Sequence, residues 1–355
     1  EDGNDQHYDS QLCVFYGGAD PDTIPDYVLT FPREGWISGS GFVGSLGDIN
    51  GDGHDDLGYA ILKNYNNAPI TFGIINGSTM TNSTFIEAGI SIDKEYIAGL
   101  GDINADNIDD FCIGYKYKVG DLRYSKAVLY YGNISGIYSD SLTICDGLDI
   151  TEPYAYPAGD INGDHNVDFI SSFTATEAKL YFGGTGFNGT DYCIIIPAYY
   201  GNTLGLGLAH GDVNGSGTDD LMGTFCSQAD GYGDAYLWIG GFPMNGTSDL
   251  HITPDMNHNM EMFGWCLTMG DYNGDGYCDA AISAPFDYAS WPYPGEVIVY
   301  AGNPQLNDPT PIADNTNTPE ISKLQLYPNP LQPSKSNLNV SFSGLTPLPP
   351  SSRGV

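Results

Sequence analysis

Asp48-Ile-Asn-Gly-Asp-Gly-His-Asp-Asp56 is the stretch on which the reading of the fold turns, because it recurs. The pattern returns as Asp102-Ile-Asn-Ala-Asp-Asn-Ile-Asp-Asp110, Asp160-Ile-Asn-Gly-Asp-His-Asn-Val-Asp168, Asp212-Val-Asn-Gly-Ser-Gly-Thr-Asp-Asp220 and Asp271-Tyr-Asn-Gly-Asp-Gly-Tyr-Cys-Asp279. The starts lie 54, 58, 52 and 59 residues apart, and a glycine precedes the first aspartate every time. A fixed period of this length marks an array of supersecondary units, each unable to bury its apolar surfaces alone.

A second pattern runs in phase with the first. Short apolar or aromatic runs end at glycine: Leu12–Gly17, Thr71–Gly77, Val128–Gly132, Leu180–Gly183, Tyr236–Gly240 and Val297–Gly302. Their β-branched and aromatic content and their length read as buried strands. Each unit is then strand, acidic loop, strand, aromatic strand and a weaker outer strand. In the first full unit these are Gly41–Leu46, Asp56–Leu62, Ile70–Ile75 and Thr84–Ala88. Four-stranded units at this spacing predict an all-β chain, a β-propeller of four-stranded blades. Four units are complete, the fifth has no evident outer strand, and Leu12–Gly17 with Tyr27–Phe31 make an N-terminal half unit.

In every acidic loop, oxygen side chains stand at positions 1, 3, 5 and 9, and position 7 can add its carbonyl. The candidate ligands are Asp48, Asn50, Asp52, His54 and Asp56; Asp102, Asn104, Asp106, Ile108 and Asp110; Asp160, Asn162, Asp164, Asn166 and Asp168; Asp212, Asn214, Ser216, Thr218 and Asp220; and Asp271, Asn273, Asp275, Tyr277 and Asp279. Carboxylates and carboxamides without nitrogen or sulfur donors select a hard cation that tolerates irregular geometry, which is Ca²⁺, up to five ions. An EF-hand needs a glutamate at position 12, where this chain has Tyr59, Ile113, Ser171, Gly223 and Ile282. Ser216 makes the fourth loop the weakest site. The second loop has Ala105 and Asn107 where others have glycine, which predicts a strained turn.

The charge balance agrees. Lys and Arg number 11 against 45 Asp and Glu, a formal net charge of −34 over 355 residues. Such a surface repels phosphate backbones and anionic lipid, which argues against nucleic acid as a partner. Five calcium ions would offset ten of these charges. No apolar run is long enough to span a membrane. The chain begins at Glu1 without a leader, which reads as a processed or partial chain. Seven cysteines without a CxxC exclude zinc-ribbon and thioredoxin-like sites. Cys266 and Cys278 could face each other across a hairpin, or all could be buried free thiols.

These residues resemble the FG-GAP repeats of integrin α-subunit propellers and their bacterial relatives, over roughly Leu12 to Gly302. The fifth copy is closest: Phe263-Gly264 matches the FG, Asp271–Asp279 the calcium loop and Ser283-Ala284-Pro285 the GAP. Elsewhere these halves are degraded, as in Leu204-Gly205 and Gly58-Tyr59-Ala60. The resemblance implies a seven-bladed propeller, of which this chain would be a fragment, with calcium in hairpin loops on one face; a smaller propeller closed by the N-terminal strands is the alternative. It makes residues 1–302 the propeller.

Composition changes after Gly302. Residues 303–320, rich in Pro, Asn, Thr and Asp, read as a linker. Residues 321–355 carry Leu324-Gln-Leu-Tyr-Pro-Asn-Pro330 and Asn337-Leu-Asn-Val-Ser-Phe342, which resemble the start of a type IX secretion C-terminal sorting domain, a short truncated Ig-like β segment. The resemblance implies a bacterial protein exported across the outer membrane, secreted or held at the cell surface through that segment.

Gly39-Ser-Gly-Phe-Val-Gly44 fits a dinucleotide fingerprint but feeds an acidic loop instead of a helix. No HExxH, GxSxG or P-loop is present, and the six histidines are scattered, with His54 and His165 inside acidic loops and expected to face solvent. Trp36, Tyr154, Tyr156, Tyr199, Tyr200, Trp265, Trp291 and Tyr293 are either propeller core or sugar-stacking rings, with Trp291-Pro-Tyr-Pro294 the best candidate for an exposed loop. The expected function is a calcium-stabilised extracellular recognition or adhesion module binding protein or glycan without catalysis. The alternatives are a secreted polysaccharide-active enzyme on the same scaffold and a structural spacer.

Overall fold

The computed structural model describes residues 10–17, 23–31, 41–62, 69–148, 152–174, 177–195, 207–226, 233–241, 243–253, 260–261, 263–284, 286–287, 296–307 and 323–326. Among them the regular structure is strand throughout, apart from one 3-10 turn at Pro304–Asn307. The chain divides into two compact units. One holds Glu1–Tyr156 with Phe169–Ser172 and Gly183–Asp191; the other holds Pro157–Asp168, Phe173–Phe182 and Tyr192–Val355.

In the first unit, Ser10–Val14 pairs antiparallel with Tyr27–Phe31, the expected half unit. Beside it stands a seven-stranded sheet of Gly41–Gly47, Asp56–Leu62, Pro69–Ile75, Asn82–Gly101, Asp110–Val119, Leu122–Tyr130 and Ser141–Gly147, in chain order. Seven strands make two four-stranded blades because Asn82–Gly101 serves twice. Its first half, up to Ile90, pairs with Pro69–Ile75, and its second half, from Ser91, pairs with Asp110–Val119. The register shifts between Ser91 and Glu95 are bulges, which bend a strand and increase its twist. The outer strand expected at Thr84–Ala88 lies inside this long element. Its core gathers Leu46, Ile49, Phe72, Ile97, Phe111 and Ile113, with Tyr115, Tyr130 and Tyr138 packed against it. Phe111 stacks on Tyr130 at 5.4 Å between centroids and meets the edge of Tyr138 at 5.4 Å.

The next four-stranded sheet takes Glu152–Gly159, Asp168–Phe173, Ala178–Tyr181 and Tyr192–Ile195. The second unit adds two more. One is Gly207–Gly211, Asp220–Cys226, Gly233–Trp238 and Leu250–Ile252; the other is Leu267–Gly270, Asp279–Ala284, Glu296–Tyr300 and Lys323–Leu326. The strands within each of them pair antiparallel. Val213, Met222, Leu237, Phe263, Ile282 and Ile298 form the core of this unit. The FG and GAP halves of the fifth copy meet here. Phe263 is fully buried, Gly264 N donates to the Ser283 carbonyl at 2.9 Å, and Cys266 N donates to Ser283 Oγ at 2.9 Å.

One expectation changes in this unit, and one pair of alternatives is decided. The fifth blade does have an outer strand: Lys323–Leu326 pairs with Val297–Tyr300, although the sequence assigns it to the appended 321–355 segment. The alternation Lys-Leu-Gln-Leu marks a strand, but its partner lies across residues 301–322, a separation over which local pattern carries no register. Cys266 and Cys278 are free thiols, as are Cys13, Cys112, Cys145 and Cys193. Residues 327–355, with the Tyr-Pro-Asn-Pro and Asn337–Phe342 motifs, lie outside the described residues. So do Trp36, Tyr199, Tyr200, Trp291 and Tyr293. Of the described rings, Tyr154 and Tyr156 pack on buried Tyr96, and Trp265 is exposed.

Candidate metal loops

The five acidic loops each join the first and second strands of a four-stranded blade, so one hairpin turn is made five times. Positions 4 and 6 are left-handed in every copy: Gly51 and Gly53, Ala105 and Asn107, Gly163 and His165, Gly215 and Gly217, Gly274 and Gly276, all with φ between 60° and 91°. That backbone turns the N–H groups of positions 5, 6 and 7 inward, and side chains meet them.

The position-1 aspartate (Asp48, Asp102, Asp160, Asp212, Asp271) accepts the position-5 N–H on Oδ1 at 2.9–3.1 Å and the position-6 N–H on Oδ2 at 2.7–3.0 Å. The position-3 amide oxygen (Asn50, Asn104, Asn162, Asn214, Asn273) accepts the same position-5 N–H at 2.8–3.0 Å. Asp52, Asp106, Asp164 and Asp275 accept the N–H of His54, Ile108, Asn166 and Tyr277 at 2.9–3.1 Å; Ser216 Oγ accepts that of Thr218 at 3.3 Å. The candidate oxygens of positions 1, 3 and 5 and the backbone of position 7 are therefore gathered in one turn. His54 and His165 are exposed, as expected.

Position 9 is the floor. Asp56, Asp110, Asp168, Asp220 and Asp279 are at most 1% exposed. In the second, third, fourth and fifth loops Oδ2 accepts the position-2 N–H at 2.9–3.0 Å. In the first, Asp56 Oδ2 instead accepts from Asn50 Nδ2 at 2.8 Å. Oδ1 accepts the N–H of the glycine that closes the aromatic strand: Gly77, Gly132, Gly240 and Gly302, at 2.7–3.0 Å. This explains the second sequence pattern. A Cβ on those glycines would come within 1.9–2.4 Å of the position-8 carbonyl, so only glycine lets the strand end dock on the floor.

Rim and floor differ electrostatically. The N–H of Gly276 and its neighbours hold the Asp271 carboxyl below the ordinary range, and Ser78 and Asn76 do the same for Asp52. Burial pushes Asp110 and Asp220 up to about 7 and raises Asp56 and Asp279. A buried carboxylate with only hydrogen bonds for company favours its proton; a nearby cation would reverse that preference.

Position 8 carries a role the sequence reading overlooks. Asp109 N donates to the Asp48 carbonyl at 3.2 Å, and Asp109 Oδ2 accepts Asp48 N at 2.9 Å. Asp219 makes the same double clasp on Asp160, at 2.9 and 3.0 Å. Burial works to raise Asp219, but the His210 ring, its Nδ1 3.3 Å away, holds it low. Cys278 keeps only the backbone half, donating to the Asp212 carbonyl at 2.9 Å. Each clasp joins a loop to the loop of the preceding blade. The signal was present in Asp55, Asp109 and Asp219, at the same position of three copies.

The donor chemistry suits a hard divalent cation. Among the described residues, no three His, Cys, Asp or Glu side chains are drawn into a metal-holding group. Beside the first loop a cavity of about 330 Å³ is lined by Asn50, Asp52, Asn76, Ser135 and Tyr138, among others.

No known family profile matches the chain. It is 36% identical over 115 residues to integrin alpha-PS2 of Drosophila melanogaster, covering 29% of this chain and 8% of that one. It is 28% identical over 172 residues to integrin alpha-8 of Mus musculus, covering 43% of this chain and 15% of that one. A fucose-specific lectin from Aleuria aurantia superposes with a TM-score of 0.40 at 6% identity over 73% of both chains, too loosely to bear on fold or ligand. The chain thus spans less than a sixth of the integrin chains it matches, and those matches support a repeat of the propeller type.

Proposed function

We propose that this chain is a calcium-stabilised recognition module, secreted or displayed at the cell surface, that binds protein or glycan and does not catalyse a reaction. The observation that carries the reading is the fivefold recurrence of one turn with oxygen donors at the same places. Calcium would be held by the side chains of positions 1, 3, 5 and 9 and the position-7 carbonyl of each loop. It would supply the countercharge that the buried floor carboxylates otherwise lack. The chain's own part is to hold these groups on rigid hairpins, four of them tied to a strand end through the floor aspartate. Repeats of this kind leave the loops between blades free to carry recognition surfaces. A seven-bladed parent and export through a C-terminal sorting segment belong to the same proposal; they rest on the FG-GAP and Tyr-Pro-Asn-Pro resemblances. The partial integrin matches support the recognition class.

The test is thermal unfolding with calcium and with excess chelator, repeated over a panel of glycans and extracellular proteins, with release of reducing ends followed on each polysaccharide. A calcium-dependent rise with a further rise from one ligand is expected. No calcium response would remove the metal assignment, and turnover of a polysaccharide would replace recognition by catalysis.

A further inference from the structure

The chain holds only 11 Lys and Arg, and four of them, Lys116, Lys118, Arg123 and Lys126, fall within eleven consecutive residues of one hairpin. An even spread would place none or one there. The hairpin is formed by Asp110–Val119 and Leu122–Tyr130 in the second blade, with Lys116 opposite Ser125, Tyr117 opposite Tyr124, Lys118 opposite Arg123 and Val119 opposite Leu122. It runs past its neighbours. The preceding strand pairs only as far as Tyr117, and the following one only as far as Ser125. Among the described residues, 118–124 therefore project as a two-stranded ribbon with no strand paired on either side.

Alternation sorts the ribbon into two faces. One carries Tyr117 and Tyr124, stacked with centroids 5.3 Å apart and planes at 21°, and continues to the exposed tip residues Val119 and Leu122. The other carries Lys118 and Arg123, both exposed. Asp146 fixes the base of the ribbon: it accepts the Tyr117 hydroxyl at 2.5 Å and lies 3.6 Å from Lys126 Nζ. Lys126 is thereby paired, Lys116 is half-buried, and the fully exposed charges are those of Lys118 and Arg123.

We propose that this ribbon is a docking finger for an anionic polysaccharide, a proposal that rests on reading the chain as a recognition module. A glycan chain crossing the ribbon would stack the flat C–H faces of some pyranose rings on tyrosine and the apolar tip, while carboxylate or sulfate groups of neighbouring units, carried over the edge, would meet Lys118 and Arg123 on the other face. A local basic spot on a strongly acidic body suits a flexible polyanion that can touch the finger and avoid the acidic loops. Duplex nucleic acid needs a broader basic footprint than two outward charges.

The full chain is titrated by calorimetry against a polyuronate, a sulfated glycan, a neutral glucan, vesicles containing anionic lipid, duplex DNA and a panel of extracellular proteins. The measurements are repeated with the K118S/R123S double variant and with Y124S. The expected result is binding of the charged glycans alone, weakening as salt rises. The double variant should lower affinity about tenfold or more while leaving the melting temperature unchanged, because rim charges act on association and not on folding. Y124S should weaken binding without altering the salt dependence. Preference for vesicles or DNA overturns the assignment, as does equal binding of the neutral glucan. A ligand whose binding ignores all three substitutions removes the finger and keeps the recognition module; silence across the whole panel removes both.

Discussion

The second and fourth loops reach one geometry from opposite deficits. The second has its full set of carboxylates at positions 1, 5 and 9 but no glycine, so Ala105 and Asn107 sit at φ 60° and 68°. The fourth has Gly215 and Gly217 at φ 73° and 88° but Ser216 where the others have aspartate. In both, the position-1 carboxylate takes the position-5 and position-6 N–H groups within 0.1 Å of the same distances. In both, the floor aspartate is fully buried, pushed up to about 7 by that burial, and bonded to a position-2 N–H and a closing glycine. The turn is thus held by backbone hydrogen bonds to positions 1 and 9, and it tolerates loss of either glycine or the position-5 charge. What the two deficits should not share is their consequence: one costs backbone strain, the other cation affinity.

Calcium removal should separate them most strongly. A ligand specific for the folded state at a thousandfold excess over its dissociation constant adds about 4 kcal/mol. Chelation should therefore lower the melting temperature by several degrees at the least. If the loops differ as argued, a calorimetric calcium titration should show one site markedly weaker than the rest. A chelator-insensitive melting curve would leave the turns as hydrogen-bonded Asx clusters without metal.

The floor comes next. Asp110→Ala strands the N–H groups of Ile103 and Gly132, and Asp220→Ala strands those of Val213 and Gly240. Leaving a buried donor unpaired costs about 1–3 kcal/mol, so each variant should lose about 3 kcal/mol or more in urea unfolding with chelator present. Losses below about 1 kcal/mol for both would show that the floor is not what holds the turn. Because the comparison is made without metal, it isolates the hydrogen bonds from any cation.

Ser216→Asp attacks the fourth loop's own deficit. Its side chain now bonds Thr218 Oγ1 at 2.8 Å and accepts the Thr218 N–H, the place a carboxylate oxygen holds in the other loops. Restoring the charge should tighten the weak site about tenfold, a gain of about 1.4 kcal/mol. An unchanged binding isotherm would mean that position 5 does not reach the ion.

How much of this could be seen in the chain follows from where each signal is written. The turn was legible because left-handed backbone at two fixed positions demands glycine or a tolerant substitute, and three copies supply both glycines. The closing glycines were visible as a pattern, but their reason was not. That reason is a carbonyl contact between the end of one strand and the loop before the preceding strand, a matter of packing. The clasp by Asp109 and Asp219 was hidden because its partners, Asp48 and Asp160, lie about sixty residues away. The outer strand Lys323–Leu326 was assigned apart from the propeller because Tyr-Pro-Asn-Pro follows it and a Pro- and Asn-rich stretch precedes it. The sorting assignment for the residues beyond it stays a proposal.

The smallest effect tests the second loop alone. Ala105 is an L-residue with a Cβ in the left-handed region, which costs about 1–2 kcal/mol, whereas asparagine at position 6 is among the residues that tolerate it. Ala105→Gly removes that strain but gives the unfolded chain more freedom to lose, so the net gain should be near 1 kcal/mol or somewhat less. Asn107→Gly should gain only a few tenths by the same reasoning. Both are read from urea midpoints in chelator, where the strain is not masked by bound metal. The fourth loop provides the control: Gly215→Ala and Gly217→Ala should each lose about what Ala105→Gly gains. Gly215→Ala carries an added penalty because its Cβ would lie 2.7 Å from the Tyr277 ring. If Ala105→Gly is neutral while Gly217→Ala is costly, the second loop has relaxed its strain elsewhere, and the equivalence of the two turns fails at the backbone.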